Sequence, residues 1–176
     1  RGTPETDEFV HLTCLQLPAK QVLEKAHSYG ATLTVFLAAA MMQALLKVQE
    51  QDVPNLRSRK PVKVLLPVNL RGLYPSRTLR NFALYTTPEI DPRLGRYSFE
   101  EICKAVHHRM GLEINAKQMS MKIAANVGSE RIFAVKIMPL FIKNIVMKAV
   151  FNSVGERKNC LSMSNLGAMK LPDVMM

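Results

Sequence analysis

The sequence predicts an α/β protein in which helices flank a mixed β-sheet. Segments with the apolar period of a helix alternate irregularly with segments that read as strands, which favours a mixed layer over a helical bundle. Hydrophobic residues make up 48% of the 176 residues and charged residues 22%, an ordinary balance for a globular protein with its own core. Because no internal repeat or low-complexity segment interrupts the pattern, residues 1–176 are predicted to form a single domain.

The N-terminal part of the chain predicts a strand and then a helix. Residues 1–7 are polar and are expected to fray, whereas residues 9–17 alternate as a strand does. Pro18 suits the first turn of a helix, and Gly30 is suited to end it.

The second helix is rich in alanine, methionine and leucine and is predicted to run to about Gln51. Either Thr32 or Thr34 can serve as its N-cap, because a hydroxyl oxygen accepts a hydrogen bond from the first backbone N–H groups. The helix is apolar on most sides before Lys47, so we expect it to be deeply buried. A basic loop over residues 54–60 follows it.

Two strands are predicted in the middle of the chain and a short one near its end. Residues 62–70 form a nearly continuous apolar run, which is typical of a strand covered on both faces. Residues 72–78 form a loop, and residues 81–90, with aromatic and threonine side chains, form the next strand. The last strand covers residues 160–164 and leads into a loop over residues 166–172.

Ser98 and Glu101 mark the start of another helix. A serine followed three residues later by a glutamate predicts a capping box, in which each side chain accepts a hydrogen bond from the other residue's backbone. The helix has one apolar face and is expected to continue, with a break near Gly111, to about Ala125.

Residues 132–152 are strongly apolar. A transmembrane span needs about 20 apolar residues, and Lys136, Lys143 and Lys148 interrupt this stretch. We therefore predict a buried helix over residues 136–152. The alternative is a surface helix that docks on a membrane or lipid, with its lysines at anionic head groups and its apolar face in the bilayer boundary.

The chain is basic, with 24 lysine and arginine residues against 14 aspartate and glutamate residues and a net charge of +10. This charge suits nucleic acid, an anionic membrane or a phosphorylated ligand such as coenzyme A, or it is balanced by a more acidic partner segment. The chain has no tryptophan and only 6% aromatic residues, which is a poor composition for stacking bases. No nucleic-acid partner is therefore expected.

The cysteines indicate a reducing environment and do not indicate a metal or catalytic site. Cys14, Cys103 and Cys160 are far apart and odd in number, and no CxxC pair or Cys/His pair has metal-ligand spacing. We therefore expect free thiols and no metal site. Free thiols are typical of a cytoplasmic protein, and peripheral association with a membrane is the alternative localisation.

Three short segments stand where predicted strands begin or end. They are Pro67-Val68-Asn69-Leu70-Arg71, Leu79-Arg80-Asn81-Phe82-Ala83, and Ser164-Asn165-Leu166-Gly167 followed by Leu171-Pro172. In this order, and with Gly30-Ala31-Thr32-Leu33 before the second helix, they resemble the C-terminal half of acyltransferases of the chloramphenicol acetyltransferase and condensation-domain superfamily. Within it they are most similar to bacterial alcohol acetyltransferase-type proteins. The resemblance covers nearly all of the chain.

The resemblance implies a two-lobed α/β enzyme with a tunnel between its lobes and no metal. A histidine of the N-terminal lobe removes a proton from an alcohol or amine, which attacks the thioester of acetyl-CoA or another acyl-CoA. This chain would be the C-terminal lobe and would need the N-terminal lobe as its partner. Alone it would be inactive, and its exposed apolar face would favour self-association.

The same resemblance implies roles for four residues. Arg71 would be the structural partner of the aspartate in the family's histidine motif, because a bidentate guanidinium holds a carboxylate well. Asn81, Ser164 and Asn165 would line the substrate tunnel, where Ser164 and Asn165 could hydrogen-bond an acyl oxygen or the developing oxyanion. Arg80 stands where the family often has glycine. From the residues alone, Asn81 also fits a turn before an edge strand, and Ser164-Asn165 fits a turn closed by glycine.

His107 and His108 are not expected to be catalytic. The superfamily motif is two histidines, three residues and Asp-Gly, whereas Leu112 and Glu113 stand in the last two positions here. The pair also lies inside a predicted helix, and a catalytic base needs a fixed position facing the tunnel.

Two other classes of function remain open at this point. One is a non-catalytic scaffolding or binding module, such as a degenerate acyltransferase used for docking. The other is a basic protein associated with a membrane or a nucleic acid, which would bind in a strongly salt-dependent way.

Overall fold

The computed structural model describes residues 11–78, 81–131, 139–152, 160–165 and 167. Within them the chain forms five helices and four strands, which confirms a mixed sheet flanked by helices. In chain order the elements are α1 (Ala19–Ser28), α2 (Leu33–Asp52), β1 (Val62–Asn69), β2 (Ala83–Thr86), β3 (Glu89–Ile90), α3 (Phe99–Glu113), α4 (Ala116–Arg131), α5 (Leu140–Val150) and β4 (Leu161–Ser162). Short 3₁₀ turns lie at Leu56–Ser58, Leu70–Gly72 and Pro92–Leu94.

Strand β1 is the centre of the sheet. β2 and β3 pair with it antiparallel and continue a single register, whereas β4 pairs in parallel, with Val64 opposite Leu161. The Val64 N–H donates to the carbonyl of Pro88, which lies between β2 and β3, and the Lys63 carbonyl accepts from the Cys160 N–H. Because successive residues of a strand direct their backbone groups to opposite edges, β4 flanks the edge of β1 opposite β2 and β3.

One face of the sheet carries the main core. Val62, Val64 and Leu66 alternate along β1 and are buried in a cluster with residues of α2 and α3. The helical members of the cluster are Val35, Ala38, Ala39 and Met42 from α2 and Ile102, Cys103 and Val106 from α3. This cluster fixes the position of β1, and therefore of the residues that follow it.

The opposite face of β1 is only partly covered, so the prediction of a strand covered on both faces is wrong. Lys63 and Leu65 are half-buried, and Pro67 and Asn69 are exposed. Burial that alternates with a period of two is typical of a sheet with one face on the core. The apolar run was misleading because Leu65 and Pro67 occupy outward positions.

The connection from α1 to α2 follows the predicted local signals. Gly30 has a φ of +62°, a left-handed conformation that glycine adopts without a steric penalty. Thr32 is the N-cap, and its hydroxyl accepts from the Val35 N–H at 3.3 Å. Deep burial of the whole helix is not observed, since Met41 and Val48 are 40% and 51% exposed. Only the face that packs on β1 and α3 is buried.

The predicted strand over residues 9–17 is wrong for the part that the structure describes. Residues 11–18 form no strand or helix, and Leu12 and Leu15 are largely exposed. Residues 9 and 10 lie outside the described residues. An alternating pattern fits one face of a sheet, but a strand also requires a partner strand for its hydrogen bonds.

The capping box is confirmed. The Ser98 N–H donates to Glu101 Oε2 at 2.7 Å, and the Glu101 N–H donates to Ser98 Oγ at 3.2 Å. The predicted break near Gly111 is confirmed but lies slightly later, since Gly111 is inside α3, which ends at Glu113, and α4 begins at Ala116. Helix α4 begins after Asn115, whose Oδ1 accepts from the Gln118 N–H at 2.9 Å. An asparagine cap, and not a glycine, therefore separates the two helices.

Helix α5 was predicted to be buried, and this prediction is wrong. Every described residue from 139 to 152 is exposed. Residues 136–138 of the predicted helix lie outside the described residues. A helix that is apolar almost all round usually lies in a core, but its composition does not say which element covers it.

Candidate functional site at one end of the sheet

The four residues singled out from the sequence lie at one end of the sheet. β2 begins opposite the end of β1, with Asn69 paired with Ala83, whereas β4 runs parallel to β1 on its other edge and ends opposite Leu65. Arg71 follows β1, Asn81 precedes β2, and Ser164 and Asn165 follow β4. In open α/β sheets, ligands bind outside the carboxyl ends of the strands. The topology thus brings residues that are far apart in sequence toward the carboxyl end of β1.

Arg71 lies in the 3₁₀ turn that ends β1. The Asn69 side chain starts this turn, because its Oδ1 accepts from the Arg71 N–H at 3.0 Å. The Arg71 guanidinium donates from Nη2 to the Thr78 carbonyl oxygen at 3.0 Å. Leu70, the first residue of this turn, is almost fully buried and so attaches the turn to the interior of the protein. Arg71 therefore holds the loop over residues 72–78 against the end of β1, a role for which the sequence contained no signal.

Asn81 is exposed just before β2. The Leu70 N–H donates to the Phe82 carbonyl at 3.0 Å, so the residue after Asn81 is hydrogen-bonded to the turn that carries Arg71. Asn81 therefore lies next to this turn. The motif segments also contain positions outside the described residues, namely 79, 80, 166, 171 and 172.

Both the nitrogen and the oxygen of the Asn165 side-chain amide are hydrogen-bonded. Its Nδ2 donates to Thr34 Oγ1 in the first turn of α2 at 3.0 Å, and its Oδ1 accepts from the Gly167 N–H at 2.9 Å. Gly167 has a φ of +70°, a left-handed conformation that favours glycine. Met163 is buried while Ser164 is exposed. The segment after β4 is therefore fixed on α2, with the Ser164 side chain accessible at the sheet end.

Tyr74 connects the loop after β1 to α4 through its hydroxyl group. Its hydroxyl is 2.6 Å from the Ala116 carbonyl oxygen and 2.6 Å from Ser120 Oγ. Its ring centroid lies 6.3 Å from that of Phe82. Helix α4 and Arg71 thus both form hydrogen bonds with the loop over residues 72–78.

Glu113, at the end of α3, joins β2 to α4. Its Oε2 accepts from the buried Thr86 hydroxyl and from the Lys122 ammonium, each at 2.8 Å, and its Oε1 pairs with Arg109. Burial raises the pKa of Glu113, but the hydrogen bonds from Lys122 and Thr86 and the charges of Lys122 and Arg109 lower that pKa by more. The net pKa lies below the ordinary value, so Glu113 is a charged structural group at neutral pH.

An open cleft of about 500 Å³ lies beside the second half of α2. Apolar residues such as Leu46 and Tyr97 line it together with Glu50, Arg59 and Arg96. Glu50 Oε1 is 3.5 Å from the Arg96 guanidinium and 3.9 Å from that of Arg59, so an internal carboxylate already offsets these two cations. The first turn of α2 contacts Asn165 at the sheet end, and this cleft is formed by its last turns. The two sites are therefore distinct.

His107 and His108 lie on the surface of α3. Both side chains are exposed, and their ring centroids are 6.0 Å apart. Their predicted position on a helix, and not on a loop, is confirmed.

The structure offers no metal site in the residues it describes, since they include no group of three histidine, cysteine, aspartate or glutamate side chains placed to hold an ion. The three cysteines are free thiols, with Cys14 and Cys160 exposed and Cys103 buried. Burial, together with the charge of Glu100, raises the pKa of the Cys103 thiol. A raised thiol pKa is typical of a structural cysteine and not of a nucleophile.

Among the described helices, α2 has the length and the mean hydropathy, 1.2, of a membrane-spanning helix. The same composition is found in core helices of globular domains. Val35, Ala38 and Met42 of α2 are buried against the sheet and α3, although only 22% of the most apolar window of this helix is buried.

No family model, curated protein or solved structure matches this chain.

Proposed function

We propose that this chain forms the C-terminal lobe of an acyltransferase that moves an acetyl or other acyl group from acyl-CoA to an alcohol or amine. The observation that supports the proposal is that Arg71, Asn81, Ser164 and Asn165, from three separate segments, all lie toward the carboxyl end of β1. Arg71 follows β1 and is opposite Asn81 in the register with β2, and Ser164 and Asn165 follow β4, which pairs with the other edge of β1.

The sheet end supplies hydrogen-bond donors. Ser164 is exposed with its hydroxyl accessible, and Asn165 fixes the backbone beside it. During acyl transfer, the thioester carbonyl oxygen gains negative charge as the acceptor attacks the carbonyl carbon. Donors held in position stabilise that charge without having to reorient. Ser164 would donate to this oxygen, and Asn165 would act as a positioning residue.

The proton transfer needs a base that the four assigned residues do not provide. A histidine of a partner lobe would take the proton from the acceptor hydroxyl or amine. The new C–O or C–N bond would form as the C–S bond breaks, and the proton would pass to the departing coenzyme A thiolate. Arg71 would hold the aspartate of the histidine segment. The isolated chain is therefore expected to be inactive.

The test is release of coenzyme A from acetyl-CoA by the complete protein that contains these residues, with a panel of alcohols and amines as acceptors. We expect Ser164→Ala to lower kcat by about 10²-fold with little change in KM, because the lost hydrogen bond is made chiefly in the transition state. The matched control is Ser162→Ala, which removes the other exposed hydroxyl of this segment from within β4. It should stay within twofold of the unmodified protein.

Two outcomes would overturn the proposal. One is no turnover by the complete protein with any acceptor, together with no binding of acetyl-CoA. The other is an equal loss of activity in Ser162→Ala and Ser164→Ala, which would show that the sheet end has no special role. Either result would favour a scaffolding module in place of an enzyme.

A further inference from the structure

Helix α5 presents an exposed apolar surface. Eight of the twenty large apolar side chains that are exposed among the described residues belong to α5 and the residue after it. They are Leu140, Phe141, Ile142, Ile145, Val146, Met147, Val150 and Phe151. Phe141 and Ile145 are each 68% exposed, which is unusual for such large apolar side chains. This concentration on one short helix indicates a binding surface.

The charged residues in α5 and in the sequence beside it are all positive. Between Arg131 and Gly155 the sequence contains no aspartate or glutamate, whereas Lys136, Lys143 and Lys148 fall in this stretch. The helix itself carries Lys143 and Lys148. A partner for this surface must therefore be apolar and negatively charged at its border.

The lysines border the apolar surface in a regular way. With 3.6 residues per turn, Lys143 and Lys148 lie about 140° apart around the helix. The wider arc between them contains only apolar residues: Phe141, Ile142, Ile145, Val146, Ala149 and Val150. A cation at each edge of an apolar arc is the pattern of a helix that lies at a membrane interface, because long lysine side chains can reach the head groups from there.

The length of α5 sets its orientation. Eleven residues extend about 16 Å at 1.5 Å per residue, which is about half the thickness of a bilayer's hydrocarbon core. The helix can therefore lie in the plane of the interface but cannot span it.

We propose that α5 docks this protein on an anionic phospholipid surface, with its apolar arc in the acyl boundary and Lys143 and Lys148 at the head groups. A second copy of the chain fits this surface less well. Pairing two such helices would bring four lysines together without a carboxylate from either helix, on chains that each carry a net charge of +10. This inference does not depend on the proposed acyltransferase activity.

The test is co-sedimentation of the complete protein with phosphatidylcholine vesicles that contain about one quarter phosphatidylglycerol, compared with vesicles of phosphatidylcholine alone. We expect binding to the anionic vesicles that weakens as salt is added. The double variant K143E/K148E should lower the partition coefficient at least ~10-fold, since each basic residue near such a surface contributes substantially to binding. Because both lysines are exposed, this variant should fold normally.

Matched controls distinguish the effect of α5 from the effects of net charge and of non-specific hydrophobic binding. K20E/K117E changes the net charge by the same amount at exposed lysines of α1 and α4 and should keep most of the binding. A second pair compares F141S/I145S, which should lose binding, with L12S/L15S, which removes two even more exposed apolar side chains elsewhere and should not.

Three results would overturn the inference. The first is an unmodified protein that binds neither vesicle type, or binds both equally well. The second is a loss of binding in the control variants as large as that in the α5 variants. The third is a dimer, detected by light scattering and dissociated by F141S/I145S, with no vesicle binding, which would identify a second copy as the occupant.

Discussion

The Nδ2 atom of Asn165 donates a hydrogen bond to Oγ1 of Thr34 across 3.0 Å, joining two residues that are 131 positions apart. This bond fixes the segment after β4 on the first turn of α2. The Gly167 N–H binds the other end of the same amide. Asn165 therefore determines where the exposed Ser164 lies relative to the helix.

A double-mutant cycle should detect this bond. Thr34→Val and Asn165→Ala should each lower the free energy of unfolding by about 1 kcal/mol, and the double variant by less than their sum. Urea denaturation measures these values. Asn55→Ala is the control, because the Asn55 side chain caps a separate 3₁₀ turn by accepting from the Arg57 N–H. Its effect should add to that of Thr34→Val, and additivity of Asn165→Ala with Thr34→Val would contradict the contact.

Glu113 should make the protein sensitive to acid. Its pKa in the folded state lies below the ordinary value of 4.5, so its contribution to stability is complete above that value and is lost as the pH falls through the folded pKa. Glu113→Gln should lower the free energy of unfolding at pH 7 by about 1–2 kcal/mol, through loss of the charged hydrogen bonds with Thr86 and Lys122.

The pH dependence is the sharper part of this prediction. Below pH 4.5 the difference in unfolding free energy between Glu113→Gln and the unmodified protein should shrink, because the unmodified carboxyl becomes neutral as well. Thermal unfolding at a series of pH values measures the difference. A difference that stays constant from pH 7 to pH 3 would show that the ionised carboxylate does not stabilise the fold.

Neighbouring leucines of β1 should differ strongly in their contribution to stability. Leu66 is buried in the core and Leu65 is half-buried on the opposite face. Leu66→Ala should therefore cost about 2–5 kcal/mol of unfolding free energy, and Leu65→Ala clearly less. Chemical denaturation of both variants tests this, and equal losses would mean that another element covers the second face of the sheet.

Arg71 should order the loop that follows β1. Its guanidinium donates to the Thr78 carbonyl, so Arg71→Ala should speed amide hydrogen exchange over residues 72–78 and leave β1 protected. Arg77→Ala, which removes an exposed arginine of the same loop, is the control and should have little effect. Unchanged exchange in Arg71→Ala would refute this role.

Local signals in the sequence predicted local structure well. Gly30 ends α1 and Ser98 with Glu101 starts α3, because each depends on backbone groups within a few residues. The pattern over residues 62–70 also predicted β1. In each case the residues that form the structure are the residues that display the pattern.

Long-range features could not be predicted in this way. The exposure of α5 depends on which elements pack against it, and its composition resembles that of a buried helix. Residues 11–17 have the pattern of a strand but form no strand in the structure. The pairing of Asn165 with Thr34 and that of Glu113 with Thr86 appear only when distant segments meet. The motif residues were gathered by the sheet topology, which the sequence indicated only through a family resemblance.

The most direct test of the central claim is hydrogen exchange of the complete protein, followed by mass spectrometry, with and without acetyl-CoA. An acyl-CoA site at the sheet end predicts slower exchange in residues 160–167 and 81–83, and a smaller change in the Ser164→Ala variant. No protection at the sheet end, or protection confined to the cleft formed by Glu50, Arg96 and Tyr97, would contradict it.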